Sequence, residues 1–187
     1  MKKAYLFISG TKTGVSKCVS FFTHSKETHS TLSFNGKFDC MYTFGRFGMK
    51  PLPSGFVKEN IRTNTLKKYD YCPCKIFTID LTDEQFDNIQ KEIKKYEDEK
   101  QKYKYAILGA FLCAFRIKKT FKYKRFCSQF VANLLHDGGG IELPYDTSLM
   151  RPKDFLKLDC ITLIYEGTIN SLATKIDDGE LILENYE

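Results

Sequence analysis

Two runs of alternating polar and apolar side chains flank the dipeptide Asn35-Gly36, and no stretch of comparable length restricts the folding of this chain as much. Ser30-Thr31-Leu32-Ser33-Phe34 precedes it and Phe38-Asp39-Cys40-Met41-Tyr42-Thr43-Phe44 follows. A period of two turns one face of each run toward a core, and Asn-Gly adopts the left-handed backbone of a tight turn at little cost. The pattern predicts an antiparallel hairpin with Asn35-Gly36 as a two-residue turn. Counting back from that turn, Phe34 faces Lys37, and His29 stands opposite Tyr42 on one face of the pair. A bulge would slide the register by one residue and bring Met41 or Thr43 to that place.

The rest of the chain supplies both strands and helices. Ala4-Tyr5-Leu6-Phe7-Ile8-Ser9 is rich in β-formers and ends at Gly10, so it reads as a first strand. Ser16 to Phe22 has the length of a short helix, and Gly45 to Gly55, with three Gly and two Pro, reads as a loop. Lys75 to Leu81 is a further strand, and Thr82 with Gln85 forms a capping box that opens a helix. In that helix Phe86, Ile89, Ile93 and Tyr96 make one apolar stripe. Beyond it, Phe130, Val131, Leu134 and Leu135 recur at helical spacing until Gly138-Gly139-Gly140. A loop around Met150 to Phe155 leads to a short helix, Ile161 to Tyr165 is a strand, and Leu181 to Leu183 is one more. These elements predict an α+β fold with a hairpin-rich sheet, in a single domain spanning residues 1–187 with an acidic tail from about residue 171.

Charge is unevenly distributed. Residues 1–74 carry 12 basic and 4 acidic groups, residues 75–135 carry 13 and 8, and residues 136–187 carry 4 and 11. The net +6 is too small to point to a nucleic acid, and none is expected as a partner. With 42% hydrophobic and 14% aromatic residues the chain is not a disordered or low-complexity polymer. Its longest apolar run, Tyr105 to Phe115, has 11 residues, short of the roughly 20 that span a bilayer. Arg116 to Arg125 then packs six basic residues into ten, so the two stretches together fit an anionic membrane surface as a second class of partner. Seven cysteines, an odd number, with no secretory leader ahead of them, lead us to expect a reducing cytoplasm.

Few residues can carry chemistry. The three histidines are His24, His29 and His136. His29, at the entrance to a strand, has packing on both sides to hold its ring, whereas His24 lies in a polar stretch and His136 beside the glycines. Cys127 falls at the first turn of the helix running to Leu135, where free N–H groups and the helix dipole lower a thiol pKa below its ordinary value of about 8.5. Lys124 and Arg125 act in the same direction. A thiolate with an imidazole can attack a carbonyl, form a thioester and protonate the leaving group. The same position equally suits a buried, inert cysteine. Tyr42 is the candidate to orient the imidazole, although an ordinary packed tyrosine fits that position as well. Cys72-Pro73-Cys74 lacks the spacing and the second ligand pair of a zinc site, and no P-loop, dinucleotide fingerprint or HExxH occurs, so neither metal nor cofactor is expected.

Taken in order, Phe7-Ile8-Ser9-Gly10-Thr11, Thr28-His29-Ser30-Thr31-Leu32-Ser33, Met41-Tyr42-Thr43-Phe44-Gly45-Arg46 and Phe126-Cys127-Ser128-Gln129-Phe130-Val131-Ala132 resemble the circularly permuted papain-fold thiol hydrolases. These are the YiiX/YebB-like branch of the NlpC-type cysteine peptidases. Arg151-Pro152-Lys153-Asp154-Phe155 and Ile164-Tyr165-Glu166-Gly167 also look like family elements, so the resemblance covers most of residues 5–167. It implies an antiparallel papain-like sheet packed on the helix that bears the nucleophile, with Cys127 as nucleophile and His29 as general base. The family's third polar residue lies on the strand after the histidine, where this chain offers Tyr42-Thr43. Activity on a peptide or on an acylated small molecule is the expectation, through a peptidase or amidase reaction. A lipid acyl hydrolase or acyltransferase, and a non-catalytic binding module of the same fold, are the alternatives.

Overall fold

β1 (Lys2–Ser9) is buried on both sides from Ala4 onward, which explains why its sequence is continuously apolar rather than alternating. In a computed structural model, which describes residues 1–10, 25–46, 54–63, 66 and 71–186, β1 lies inside a six-stranded antiparallel sheet. The others are β2 (His29–Ser33), β3 (Met41–Arg46), β4 (Ser54–Glu59), β5 (Pro73–Leu81) and β8 (Ile161–Thr168), in the order β4-β3-β2-β1-β5-β8. Two short parallel strands, β6 (Lys104–Tyr105) and β7 (Lys124–Arg125), pair separately. The helices are α1 (Asp83–Asp98), α2 (Ile107–Ala114), α3 (Cys127–Asn133) and α4 (Ile169–Asp177), and a wider π turn at Leu134–Gly138 continues α3. The protein is therefore α+β, as the pattern of elements predicts.

One core lies between the sheet and helices α1 and α3. Leu6, Ile8, Leu32 and Phe44 from the strands meet Phe86, Ile89, Ile93 and Tyr96 of α1 and Phe130 to Leu135. The capping box forms: Gln85 N–H donates to Thr82 Oγ1 and Thr82 N–H to Gln85 Oε1. Phe130 sits one turn beyond Cys127 with its ring 5.2 Å from Phe44, 5.6 Å from Phe56 and 5.0 Å from Tyr96. This aromatic packing clamps α3 on the sheet, and truncating a ring so placed costs about 3–5 kcal/mol. On the far side of the sheet, Tyr5, Phe7, Phe38, Met41 and Ile76 form a second core with Ile169 and Leu172 of α4.

The hairpin forms with a different connection. Tyr42 stands opposite Leu32 and Met41 opposite Ser33, so residues 34–40 join the strands in place of a two-residue turn. Phe38 is the reason. Its backbone takes a left-handed φ of 52° so that its ring, fully buried, lies 5.6 Å from Tyr5 and 6.0 Å from Phe7. Burying such a ring stabilises by about 1.5–3 kcal/mol, which outweighs about 1–2 kcal/mol of left-handed strain. Asn35-Gly36 serves instead as a dock for the C-terminal segment. Gly36 N–H donates to Glu184 O and Asn185 Oδ1, Tyr186 N–H donates to Phe34 O, and a Cβ on Gly36 would lie 2.3 Å from Leu183 Cβ.

Other boundaries moved as well. Gly45 and Arg46 extend β3 and Gly55 lies in β4, so both ends of the predicted loop are strand, while residues 47–53, like the helix expected at Ser16 to Phe22, lie outside the described residues. Leu181 to Leu183 is not a strand: near it only Asn185 makes a single bridge, to Asn35. Residues 169–177 of the acidic tail form α4, capped by Thr168, whose hydroxyl accepts from Ser171 N–H.

Candidate functional site

His29 opens β2, where it stands opposite Ser9 in the ladder with β1, and Thr28 N–H donates to Ser9 O at 3.0 Å. Its Nε2 lies 2.9 Å from Glu59 Oε2, with the two side chains only 12% and 11% exposed. Glu59 ends β4, and β3 runs between the two strands. Gly45 has no side chain to obstruct the crossing, and a Cβ there would come within 3.3 Å of Glu59 Oε1.

The imidazole also lies near Cys127. The thiol lies close enough to the His29 ring, and to the backbone N–H groups of Ser30 and Ser128, for each of them to act on its ionisation. Phe126 is the cap and Cys127 the first residue of α3, and both are almost completely buried. Ser128 Oγ donates to Met150 O at 2.7 Å and holds this end of the helix to the loop before the 3-10 turn Pro152–Lys157. Thr43 Oγ1 donates to Ser30 O at 2.8 Å, which fixes β2 against β3 beside the thiol.

The electrostatics of the two groups reinforce one another. Burial alone lowers the His29 pKa, but the Glu59 carboxylate and the hydrogen bonds to Cys127 and Glu59 overcome it and hold the ring well above the ordinary histidine range. Burial alone raises the Cys127 pKa, and the hydrogen bond and charge of His29, with the Ser30 and Ser128 N–H groups, bring it below the ordinary thiol value. Thiolate and imidazolium are thus favoured together. The contrast with other thiols is sharp: burial pushes Cys74 and Cys113 up to about 12 and also raises Cys160.

Tyr105 completes the surroundings. β6–β7 pairing, with Lys104 N–H donating to Tyr123 O and Ala106 N–H to Arg125 O, sets it beside Phe126-Cys127. Burial first, then the charge of the Cys127 thiol close to it, raise the pKa of its hydroxyl well above the ordinary phenol value.

His29 and Cys127 lie close enough to act on each other's ionisation, and Tyr42 is not among the groups that act on either. The seven-residue connection shifts the register by three, an odd number, so Tyr42 turns toward the helix-side core with Phe34 and Phe56 at 6.3 Å each. Burial, and then Cys40 nearby, raise the pKa of its hydroxyl above the ordinary phenol value. Thr43 is committed to Ser30. His136 is exposed and bonds with Asp137 at 2.9 Å, and His24 lies outside the described residues. Glu59 and Tyr105 are the two residues that sequence reasoning missed. Among the described residues no group of three or more His, Cys, Asp or Glu side chains is placed to hold a metal, and Cys72 and Cys74 are buried.

No protein-family description matches the chain, and neither does any curated protein sequence. Among solved structures, the crystal structure of the metalloprotein YiiX from Escherichia coli O157:H7 is similar, with a TM-score of 0.50 at 12% identity over 89% of this chain and 98% of that one. At that identity the likeness supports a YiiX-like α+β fold and carries no chemistry with it.

Proposed function

We propose that this protein is a thiol hydrolase of the permuted papain type, acting on an amide or peptide bond through a Cys127 thioester. The observation that carries the proposal is the His29 imidazole held 2.9 Å from the Glu59 carboxylate, with the nearly buried Cys127 at the start of α3 close enough for ring and thiol to favour each other's charged form. The Cys127 thiolate attacks the carbonyl carbon, and the carbonyl oxygen becomes the oxyanion. The His29 imidazolium, held by Glu59, gives its proton to the leaving amine as the C–N bond breaks and the thioester remains. Water then attacks the thioester while His29 accepts its proton. Breaking the C–S bond releases the carboxylic acid and the thiolate, which with the ring proton taken from water restores thiolate and imidazolium, and the acid gives its own proton to solvent. In this reading the Tyr105 hydroxyl and the backbone N–H of Ser128, both near the thiol, serve as donors to the oxyanion. Glu59 orients the ring and favours its charged form, the part played by the third member of a catalytic triad.

Competitive alkylation tests this reading. At limiting iodoacetamide near about pH 6.5, a thiolate-bearing Cys127 is expected to label ahead of the other six cysteines, and His29→Ala is expected to abolish that lead. Uniform slow labelling of all seven would remove the basis for an enzyme and favour a binding module.

A further inference from the structure

The outward face of α2 is built against the usual rule for a surface helix. Ile107, Leu108, Phe111 and Phe115 recur along one face and are 53%, 58%, 40% and 49% exposed, and Ile117 just beyond is 52% exposed. The inward face is made of small residues: Ala106, Ala110 and Cys113 pack on Phe126. A soluble helix ordinarily turns its large apolar side chains inward, and a contiguous exposed set marks a docking surface.

The helix is held in this orientation. At its end Arg116 takes a left-handed φ of 59°, donates to Leu149 O at 2.6 Å and to Asp154 Oδ1 at 2.9 Å, and lays its guanidinium 4.0 Å from the Tyr145 ring centroid. Asp154 is fully buried, so this anchor resists rotation of α2.

Charge identifies the occupant. Lys118, Lys119, Lys122 and Lys124 follow the apolar face and are exposed, and no Asp or Glu occurs between Glu99 and Asp137. Lys118 is paired with Asp146 at 2.5 Å, whereas Lys119, Lys122 and Lys124 make no ion pair among the described residues. Exposed large apolar side chains followed in the chain by lysines without ion pairs match the boundary of an anionic bilayer, where apolar side chains such as Ile107 and Leu108 enter the acyl region and ammonium groups meet phosphates. We infer that this face docks the protein on an anionic membrane surface. Ala106 and Ala110 of this helix pack on Phe126, the residue before Cys127, so docking brings the bilayer to the neighbourhood of the candidate site.

Flotation of the full chain with vesicles tests the inference directly. Phosphatidylcholine vesicles containing phosphatidylserine are expected to carry the protein at low salt, phosphatidylcholine alone to carry far less, and high salt to release it. Lys119→Gln with Lys122→Gln, surface changes that leave the fold intact, are expected to weaken partitioning about fivefold each. Leu108→Ser with Phe111→Ser is expected to abolish it at unchanged circular dichroism. Cys127→Ala should float as the wild type does, because docking does not depend on thiol chemistry. No flotation on anionic vesicles at low salt, or wild-type flotation of both double variants, would overturn the inference. So would a stable dimer in solution that Leu108→Ser with Phe111→Ser dissociates without any loss of vesicle binding.

Discussion

Replacing Glu59 by Gln keeps the size of the side chain and an oxygen that accepts from His29 Nε2–H, and it removes only the charge. The contact is 2.9 Å long and both side chains are nearly closed to water. A hydrogen bond to a charged partner in such a place contributes about 1.5–3 kcal/mol, and a neutral one about 0.5–1.5 kcal/mol. The difference, about 1–1.5 kcal/mol, lowers the His29 pKa by roughly one unit. Because imidazolium and thiolate hold each other, Cys127 loses part of its own depression, and the thiolate recovers its proton at a higher pH. Alkylation of Cys127, followed by mass spectrometry between about pH 5 and 8, is expected to show an acid limb about one pH unit higher in Glu59→Gln, with a rate near pH 6 about tenfold lower. Stability gives a second reading with a defined sign. A raised histidine pKa stabilises the fold fully below the unfolded value of about 6.5 and ceases to do so as pH rises through the folded value. The variant should therefore be less stable than wild type between about pH 5 and 6.5, and the gap should close at higher pH. An unchanged acid limb, or a stability gap that widens with pH, would refute the role given to Glu59.

Three other changes bear on separate parts of the account. Tyr105→Phe removes the hydroxyl close to the Cys127 thiol, and acylation by an ester or amide substrate should slow by at least about tenfold with little change in melting temperature. Gly36→Ala forces a Cβ into Leu183 and should destabilise by about 1–3 kcal/mol in denaturant titration, with faster amide exchange at residues 183–186. Asp154→Ala strips the acceptor from Arg116 and Arg151 and should cost about 3 kcal/mol. Burial opposes ionisation of Asp154, but those arginines hold its carboxyl below the usual range, so its contribution is present above about pH 4 and is lost as pH falls through the lowered value.

Much of this arrangement is legible in the chain because local signals and burial agree there. Thr82 with Gln85, and the stripe of Phe86, Ile89, Ile93 and Tyr96, specify α1 from its first residue to its buried face. The scarcity of histidine and the position of Cys127 before a helical pattern brought those two residues forward, and the fold sets them close together. The hairpin reading failed where a long-range contact outweighed a local one: Phe38 gains more from Tyr5 and Phe7 than Asn35-Gly36 gains from a tight turn. Glu59 escaped notice because it ends an edge strand, where a charged residue ordinarily faces solvent, and because only the fold brings β4 to His29 across Gly45. Helix α4 had a signal that went unread beneath the acidic composition, namely Thr168 as a cap and Ile169, Leu172, Ala173 and Ile176 at helical spacing.

The central claim is that Cys127 forms a covalent acyl intermediate with help from His29. Incubating the protein with an electrophilic acyl probe and mapping the adduct by peptide mass spectrometry measures that step directly, and the adduct mass reports the acyl group. The account predicts one adduct, on Cys127, absent in Cys127→Ser and slowed by at least about a hundredfold in His29→Ala. An adduct shared among the other cysteines, or one on Cys127 that forms equally fast without His29, would contradict it.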